Sequence, residues 1–342
     1  MLNIKAPRSL IIFLSLISVF AYFIFLMHKS LHAEQFESNK LTIFYAAGLN
    51  ASMNAMFKEF KKLNPSIEII GESGGTLLLI RKITELNRQP DIIFVADAQV
   101  ISDLLIPKYA DWYINFYKDR VVIAYTSRSK YTNEINTENW YKILSRKDVR
   151  FGYASPHLAP LGYRTLMLWK LADLYYKDKP NNKSIYETLK ESPPAENIMH
   201  DAAELLLVLE SLSLDYAFVY ESTAKQHNLK YIQLPPEIDL GNFDLEELYK
   251  QARVEVISKK GQKQIFQGSP IAFALTILKD APNYRKAIEF IRLFLNQEGQ
   301  KIMLANDQEM IIPCVAYNPK SVPEELRDFI HPRPKTLPLG QE

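Results

Sequence analysis

From Leu41 onward the chain alternates short apolar runs with longer amphipathic ones. Residues 41–47 (LTIFYAA) predict a strand, and Gly48-Leu49-Asn50-Ala51-Ser52 a turn with capping side chains. Met53, Met56, Phe57 and Phe60 then recur at helical spacing until Asn64-Pro65 ends the helix. Residues 67–70 read as the next strand, Gly74-Gly75-Thr76 as a second turn and residues 77–86 as a second helix. Residues 91–96 (DIIFVA) are almost continuously apolar, the pattern of a strand covered on both faces, and residues 121–125 (VVIAY) repeat it. The pattern restarts near residue 150: a strand at 149–153, a Pro- and Gly-containing turn at 154–164, a helix at 165–176 and a polar loop at 177–183. A helix at 203–211, a buried strand at 216–220 (YAFVY), strand material at 266–277 and an amphipathic helix at 284–295 follow.

Alternating strands and helices predict right-handed βαβ units, a mostly parallel sheet and the α/β class. The restart after VVIAY predicts two lobes. Lobe one is expected from residues 41–124 plus 233–317 and lobe two from 125–232, with crossings at Tyr125-Thr126 and near residues 231–234. Residues 318–342 form a Pro-rich tail expected to wrap the surface.

Ahead of this pattern, residues 10–27 form an apolar run of 18 residues without a charge, preceded by Lys5 and Arg8. The run exceeds the roughly 7–15 residues of a signal-peptide core and is about long enough to span a bilayer. Leu31-His32-Ala33 offers a cleavage site before Glu34. Residues 1–33 are therefore either a signal peptide or an uncleaved signal anchor. Both readings put the protein at the periplasmic or extracellular face of the cytoplasmic membrane, secreted or held by residues 10–27. No cysteine lies near the N-terminus, so attachment through a lipidated cysteine is excluded.

The 342 residues include 41 Lys plus Arg and 39 Asp plus Glu. Lys5, Arg8 and Lys29 fall in the first 33 residues, which hold no acid, so the body carries 38 basic against 39 acidic residues. A neutral body gives no field for nucleic acid, and any anion it binds must be held by local donors. Cys314 is the one cysteine, which excludes an intrachain disulfide and a cysteine-based metal centre.

Three turns share one construction, in which small residues and a capping side chain lead from a strand into a helix: Ala47-Gly48-Leu49-Asn50, Gly74-Gly75-Thr76 and Pro160-Leu161-Gly162-Tyr163. The first turn of a helix has unpaired N–H groups and about half a positive charge, so it receives an anion without Lys or Arg. Asn50, Ser52 and Thr76 serve equally as plain helix caps, so the turns alone name no ligand. GxSxG, HExxH, GxGxxG, P-loop and CxxC motifs are missing. Of the six histidines, His157 alone lies in the turn at 154–164 that leads into the third of these sites. No cofactor and no enzymatic activity are expected.

Several longer motifs stand in order along the chain: Arg81-Lys82-Ile83-Thr84-Glu85-Leu86, Ile106-Pro107-Lys108-Tyr109-Ala110-Asp111-Trp112 and Ile123-Ala124-Tyr125-Thr126-Ser127-Arg128-Ser129-Lys130-Tyr131. They continue with Asn139-Trp140-Tyr141, Gly162-Tyr163-Arg164, Asp215-Tyr216-Ala217-Phe218 and Gln226-His227-Asn228-Leu229-Lys230-Tyr231. With these the chain resembles the archaeal-type tungstate/molybdate-binding proteins of ABC importers, over about residues 41–313. The resemblance implies a two-lobed periplasmic-binding-protein fold of type II, with the ligand cleft between the lobes. It also implies tungstate or molybdate as ligand, an ABC transporter permease as partner, and a monomer.

Carried over residue by residue, the resemblance implies a site of Ala47, Gly48, Thr76, Ala159, Pro160, Leu161, Ala202 and Tyr220. Gly48 stands where the family has a serine, Thr76 keeps a hydroxyl, and Tyr220 keeps the family's tyrosine. Ala159 and Ala202 replace the aspartate and glutamate that reach the metal in the family and raise its coordination from four to six. Such a site is expected to hold a tetrahedral dianion with backbone N–H groups at Gly48, Thr76, Ala159 and Ala202, the Thr76 hydroxyl and the Tyr220 phenol. No carboxylate is expected near the metal, no metal is expected beyond that of the anion, and Arg164 and Asp97 are expected to do structural work. Three alternatives stay open: a membrane-anchored sensor, a receptor for sulfate or phosphate, and an enzyme such as a hydroxymethylbilane-forming deaminase.

Overall fold

Apolar runs flanked by turn residues become strands, and the amphipathic runs between them become the helices that cover them. The computed structural model describes residues 39–177, 183–257 and 263–331. The strands are β1 (Lys40–Ala46), β2 (Glu68–Gly74), β3 (Ile92–Val95), β4 (Tyr113–Lys118), β5 (Val121–Tyr125), β6 (Phe151–Ala154), β7 (Ile198–Met199), β8 (Tyr216–Tyr220), β9 (Lys230–Gln233), β10 (Arg253–Ile257), β11 (Lys263–Gln267), β12 (Ala272–Ile277) and β13 (Met310–Tyr317). The helices are α1 (Asn50–Leu63), α2 (Thr76–Thr84), α3 (Ala98–Leu104), α4 (Trp140–Leu144), α5 (Pro160–Tyr175), α6 (Ile185–Glu191), α7 (Ala202–Glu210), α8 (Glu221–Gln226), α9 (Glu246–Tyr249), α10 (Tyr284–Leu295) and α11 (Gln297–Leu304).

Two sheets organise the chain, six strands in the order β13-β4-β12-β3-β1-β2 and five in the order β7-β6-β8-β5-β9. The fold is mixed α/β. The expectation of a mostly parallel sheet needs correction. Within the two sheets, β1–β2, β1–β3, β6–β7 and β6–β8 are parallel, while β3–β12, β4–β12, β4–β13, β5–β8 and β5–β9 are antiparallel. Each sheet has a parallel βαβ half built from consecutive strands, and β12 and β5 join the two halves antiparallel.

The expected crossing also needs correction. VVIAY is β5, which pairs with β8 and β9 in the five-stranded sheet, so it does not close the first half. The first half ends with β4, a strand absent from the sequence reading, and only Asp119 and Arg120 separate the two. The return runs beyond the expected residues 231–234: the Val121 N–H donates to Asp239 O at 2.9 Å, and the Ile271 N–H to Leu240 O at 2.9 Å. The residues between make a two-stranded hairpin, β10–β11, that leans on the second half. There Lys170 Nζ donates to Arg253 O at 2.6 Å, and Phe266 stacks on Tyr163 with ring centroids 4.1 Å apart.

Each half has its own aromatic centre. Phe94 of β3 meets Phe116, Phe290 and Phe294 edge-on at 5.7, 6.3 and 4.9 Å. Trp169 of α5 meets Phe151, Tyr153 and Phe218 at 6.2, 5.0 and 5.5 Å. Burying one such side chain stabilises the fold by about 1.5–3 kcal/mol. The described part of the tail, residues 318–331, runs over α10, where Arg292 Nη1 donates to Glu325 O at 2.6 Å and Leu326 is buried. Among the described residues no helix is long and apolar enough to cross a membrane; residues 10–27 lie outside them.

Candidate functional site

Strands that end in the same direction deliver their following turns to one place. β1 ends at Ala46 and passes into a single 3₁₀ turn, Ala47–Leu49; β2 ends at Gly74 and α2 begins at Thr76; β8 ends at Tyr220. From the second half, α5 begins at Pro160 and α7 at Ala202. These five points close on a cavity of about 20 Å³ lined by Ala46, Ala47, Gly48, Gly74, Gly75, Thr76, Ala96, Ala159, Pro160, Leu161, Asp201, Ala202 and Tyr220. Roughly 10–15 Å³ admits one water, so the space suits one small ion. All eight residues expected from the sequence stand on this wall.

Small residues let the backbones approach. A side chain at Gly75 would place its Cβ 2.4 Å from Leu158 O, so only glycine lets the α2 turn meet the opposite half there. At that contact the Leu77 and Leu78 N–H groups both donate to Leu158 O, at 3.0 and 3.3 Å. Gln308, buried and missed by sequence reasoning, pins the first turn: Nε2 donates to Gly48 O at 2.9 Å, and Oε1 accepts from Ser52 Oγ at 2.6 Å. Its distance of 260 residues along the chain left no local signal.

The two side-chain donors are oriented by what they accept. Thr76 Oγ1 accepts the Ala96 N–H at 3.1 Å, and the Tyr220 hydroxyl accepts Arg164 Nη1 at 3.1 Å. A hydroxyl used this way still has its own proton to donate. Burial pushes the Tyr220 phenol up to about 12, against the pull of Arg164, so it stays protonated near neutral pH. The Leu161 and Ala202 N–H groups lie in the first turns of α5 and α7 and have no acceptor within their helices.

One expectation fails in detail, and one unexpected residue joins the wall. The Ala159 N–H is committed to Ser155 O at 3.0 Å, and the next residue, Pro160, has no N–H, so this corner of the wall is apolar. A carboxylate does border the cavity: Asp201, although its Oδ1 faces the backbone, accepting from the Ala203 and Glu204 N–H groups at 2.9 and 3.1 Å.

Arg164 and Asp97 stand behind the wall instead of on it. Arg164 Nη1 also donates to Ala96 O at 2.5 Å, Nη2 lies 3.3 Å from Asp97 Oδ2, and Tyr163 donates to the same oxygen at 2.5 Å. His157 is exposed and off the cavity. His200 and His227 pair with Glu204 and Glu210 at 2.7 and 2.8 Å. Among the described residues no three His, Cys, Asp or Glu side chains gather to hold a metal. Cys314 is buried in β13, its thiol pushed up to about 12 by burial, and it does not line the cavity.

A family model described as bacterial extracellular solute-binding protein matches residues 41–306. A solute-binding protein of Petrotoga mobilis is 38% identical over 312 residues, covering 91% of this chain and 96% of that one. The molybdate/tungstate-binding protein WtpA of Pyrococcus abyssi is 38% identical over 318 residues, covering 85% and 90%. Among solved structures, the periplasmic molybdate-binding protein of Azotobacter vinelandii superimposes with a TM-score of 0.53 at 14% identity, covering 78% of this chain and 98% of that one. At that identity the likeness concerns the fold alone.

Proposed function

We propose that this chain, which belongs to the bacterial extracellular solute-binding family, binds a tetrahedral dianion, tungstate or molybdate first, between its two halves. It then hands the anion to the permease of an ABC importer. The observation that carries this reading is the donor set: two buried hydroxyls with protons to give and several helix-start N–H groups around a space for one small ion, with no Lys or Arg on the wall. Charge-assisted N–H···O⁻ and O–H···O⁻ bonds hold a dianion in such a place without a counter-cation. The Pyrococcus abyssi relative is named for the same two anions.

In this reading Thr76 and Tyr220 give hydroxyl protons. Gly48, Leu161 and Ala202 give N–H groups, while Ala47, Ala159 and Pro160 shape the wall. The halves act as lobes that open to admit the anion and close over it, and the ligand leaves chemically unchanged. Residues 1–33 bring the protein to the outer side of the cytoplasmic membrane, as a cleaved signal or as an anchor. Asp201 favours one second reading, a protonated oxyanion such as hydrogen phosphate, because a carboxylate on the wall is an acceptor for an acid proton.

A thermal-shift panel of tungstate, molybdate, sulfate, phosphate and chromate tests both. Ligand at about 100 times its Kd stabilises by about 2.7 kcal/mol, a shift of several degrees. Tungstate or molybdate is expected to give that shift. A shift with phosphate alone moves the assignment to the second reading, and no shift with any of the five removes the oxyanion assignment.

A further inference from the structure

A helical threonine usually spends its hydroxyl on the carbonyl three or four residues back. Thr84, Thr165 and Thr188 do so here, donating to Ile80, Leu161 and Ser184 O at 3.1, 2.7 and 2.8 Å. Thr223 does not. It stands in the first turn of α8, where no carbonyl of its own helix lies one turn back. The side chain is buried, and Oγ1 has no hydrogen-bond partner among the described residues. A buried hydroxyl without a partner costs free energy, so an acceptor brought from outside the chain is favoured at this point.

That hydroxyl borders a gap left by Gly48. A Cβ added at Gly48 would meet Tyr220 Cδ2 at 3.7 Å, and Phe273 Cζ and Thr223 Oγ1 at 4.0 Å, all of it ordinary van der Waals contact. At Gly75, Gly162 and Gly268 the added atom would instead fall 2.4, 2.3 and 2.1 Å from a backbone oxygen. Gly48 has neither such a neighbour nor a left-handed φ, so neither packing nor backbone conformation calls for glycine there. What the glycine leaves is a methyl-sized space. Gly48 and Tyr220 line the anion cavity, and Thr223 borders the space from behind that wall.

We propose that the space beside Gly48 receives one oxygen of the bound anion, and that Thr223 Oγ1 donates its proton to that oxygen. Thr223 is then a further ligand-binding residue, and Gly48 sets which anion fits. The cavity of about 20 Å³ is little more than the roughly 10–15 Å³ that admits one water, whereas a tetrahedral oxyanion has five heavy atoms. The gap at Gly48 supplies room for the oxygen that reaches furthest. An anion with long central bonds, such as tungstate or molybdate, comes closer to Thr223 than sulfate does. The added donor is neutral, as the rest of the donor set is, and its bond to an oxyanion is charge-assisted.

The inference rests on the oxyanion reading of the cavity, and the test separates the two. Calorimetric titration with tungstate is run on the full chain, on T223V, T223S and G48A, and on G48A with T223V. T223V removes the hydroxyl and keeps the shape, so its Kd should rise about 10–100-fold, while T223S keeps the hydroxyl and should stay within about threefold. The unliganded melting midpoint of T223V should hold or rise, because the hydroxyl had no partner to lose. G48A fills the space and should raise the Kd about 10-fold, but by less than about threefold once T223V is in place, because both changes act on one oxygen. The proposal is overturned if T223V binds tungstate like the parent, if T223S loses as much as T223V, if G48A and T223V act independently, or if T223V lowers the unliganded midpoint as much as the liganded one. If T223V does not fold, T223A is read in its place by the same criteria. A parent that ignores tungstate removes the functional reading and this proposal with it; a parent that binds, beside a T223V that binds equally well, removes this proposal alone.

Discussion

The cavity and the crossing between the halves treat charge in opposite ways. The cavity wall is Gly, Ala, Pro, Leu, one Thr and one Tyr, with Asp201 bound to backbone; the ligand supplies the charge there. The crossing buries charge of its own. Asp119 accepts from Ser222 Oγ at 2.6 Å, from the Arg120 N–H at 2.8 Å and from the Tyr117 hydroxyl. Arg120 lies 3.3 Å from Glu221 and 3.4 Å from Asp239. Burial raises both Asp119 and Asp239, the latter to about 6. The difference separates two properties: affinity should depend on neutral donors, and pH-dependent stability on the crossing.

The strongest blow to the cavity side is Thr76→Ala. It removes a hydrogen bond to a charged group, worth about 1.5–3 kcal/mol, so calorimetry should show affinity for the anion reduced about 10–150-fold. The unfolding midpoint of the unliganded protein should move far less. An unchanged Kd would put the binding site elsewhere.

The matching blow to the crossing is Asp119→Asn. It disturbs a buried acceptor with several donors and should cost about 1–3 kcal/mol in chemical denaturation, with little change in Kd for the closed site. Equal losses in stability and affinity would dissolve the contrast between the two regions.

The next effect concerns pH. An acid whose folded pKa is raised holds its proton more tightly in the folded state than in the unfolded one. Folding therefore gains stability as pH falls through the folded value toward the unfolded one, about 3.9 for Asp. Asp239 predicts a melting midpoint that rises as pH falls from about 7 to about 5, and Asp239→Asn should reduce that rise. Asp103, raised to about 6 by burial and by Asp97, contributes with the same sign and leaves a remainder. Across the same window affinity for a fully ionised anion should stay level, because the Tyr220 phenol titrates far above it. The smallest effect is expected from His157→Ala, an exposed side chain off the cavity: a Kd within about twofold of the parent, within the usual effect of a surface substitution.

Much of this was legible in the sequence because it is local. Strand-turn-helix units announce themselves by apolar period and small residues, and the turns at Gly48, Thr76 and Leu161 could be placed before any fold was known. The crossing was not legible. β4 and β5 are separated by two residues and are equally apolar, so nothing in their pattern says that they enter different sheets. The Ala159 corner was misread because its amide is taken by Ser155 O, a turn bond without a residue signature. Gln308 and the Arg164–Ala96 bond join residues 260 and 68 positions apart, and such pairings exist only in the folded molecule.

The central claim, that neutral donors hold the anion, is tested most directly by an anomalous difference map of crystals grown with tungstate. The account predicts one tungsten peak in the cavity, its oxygens within hydrogen-bond distance of Thr76 Oγ1 and Tyr220 Oη and its metal untouched by Asp201. A peak bonded to the Asp201 carboxylate, or one anywhere but in this cavity, would contradict it.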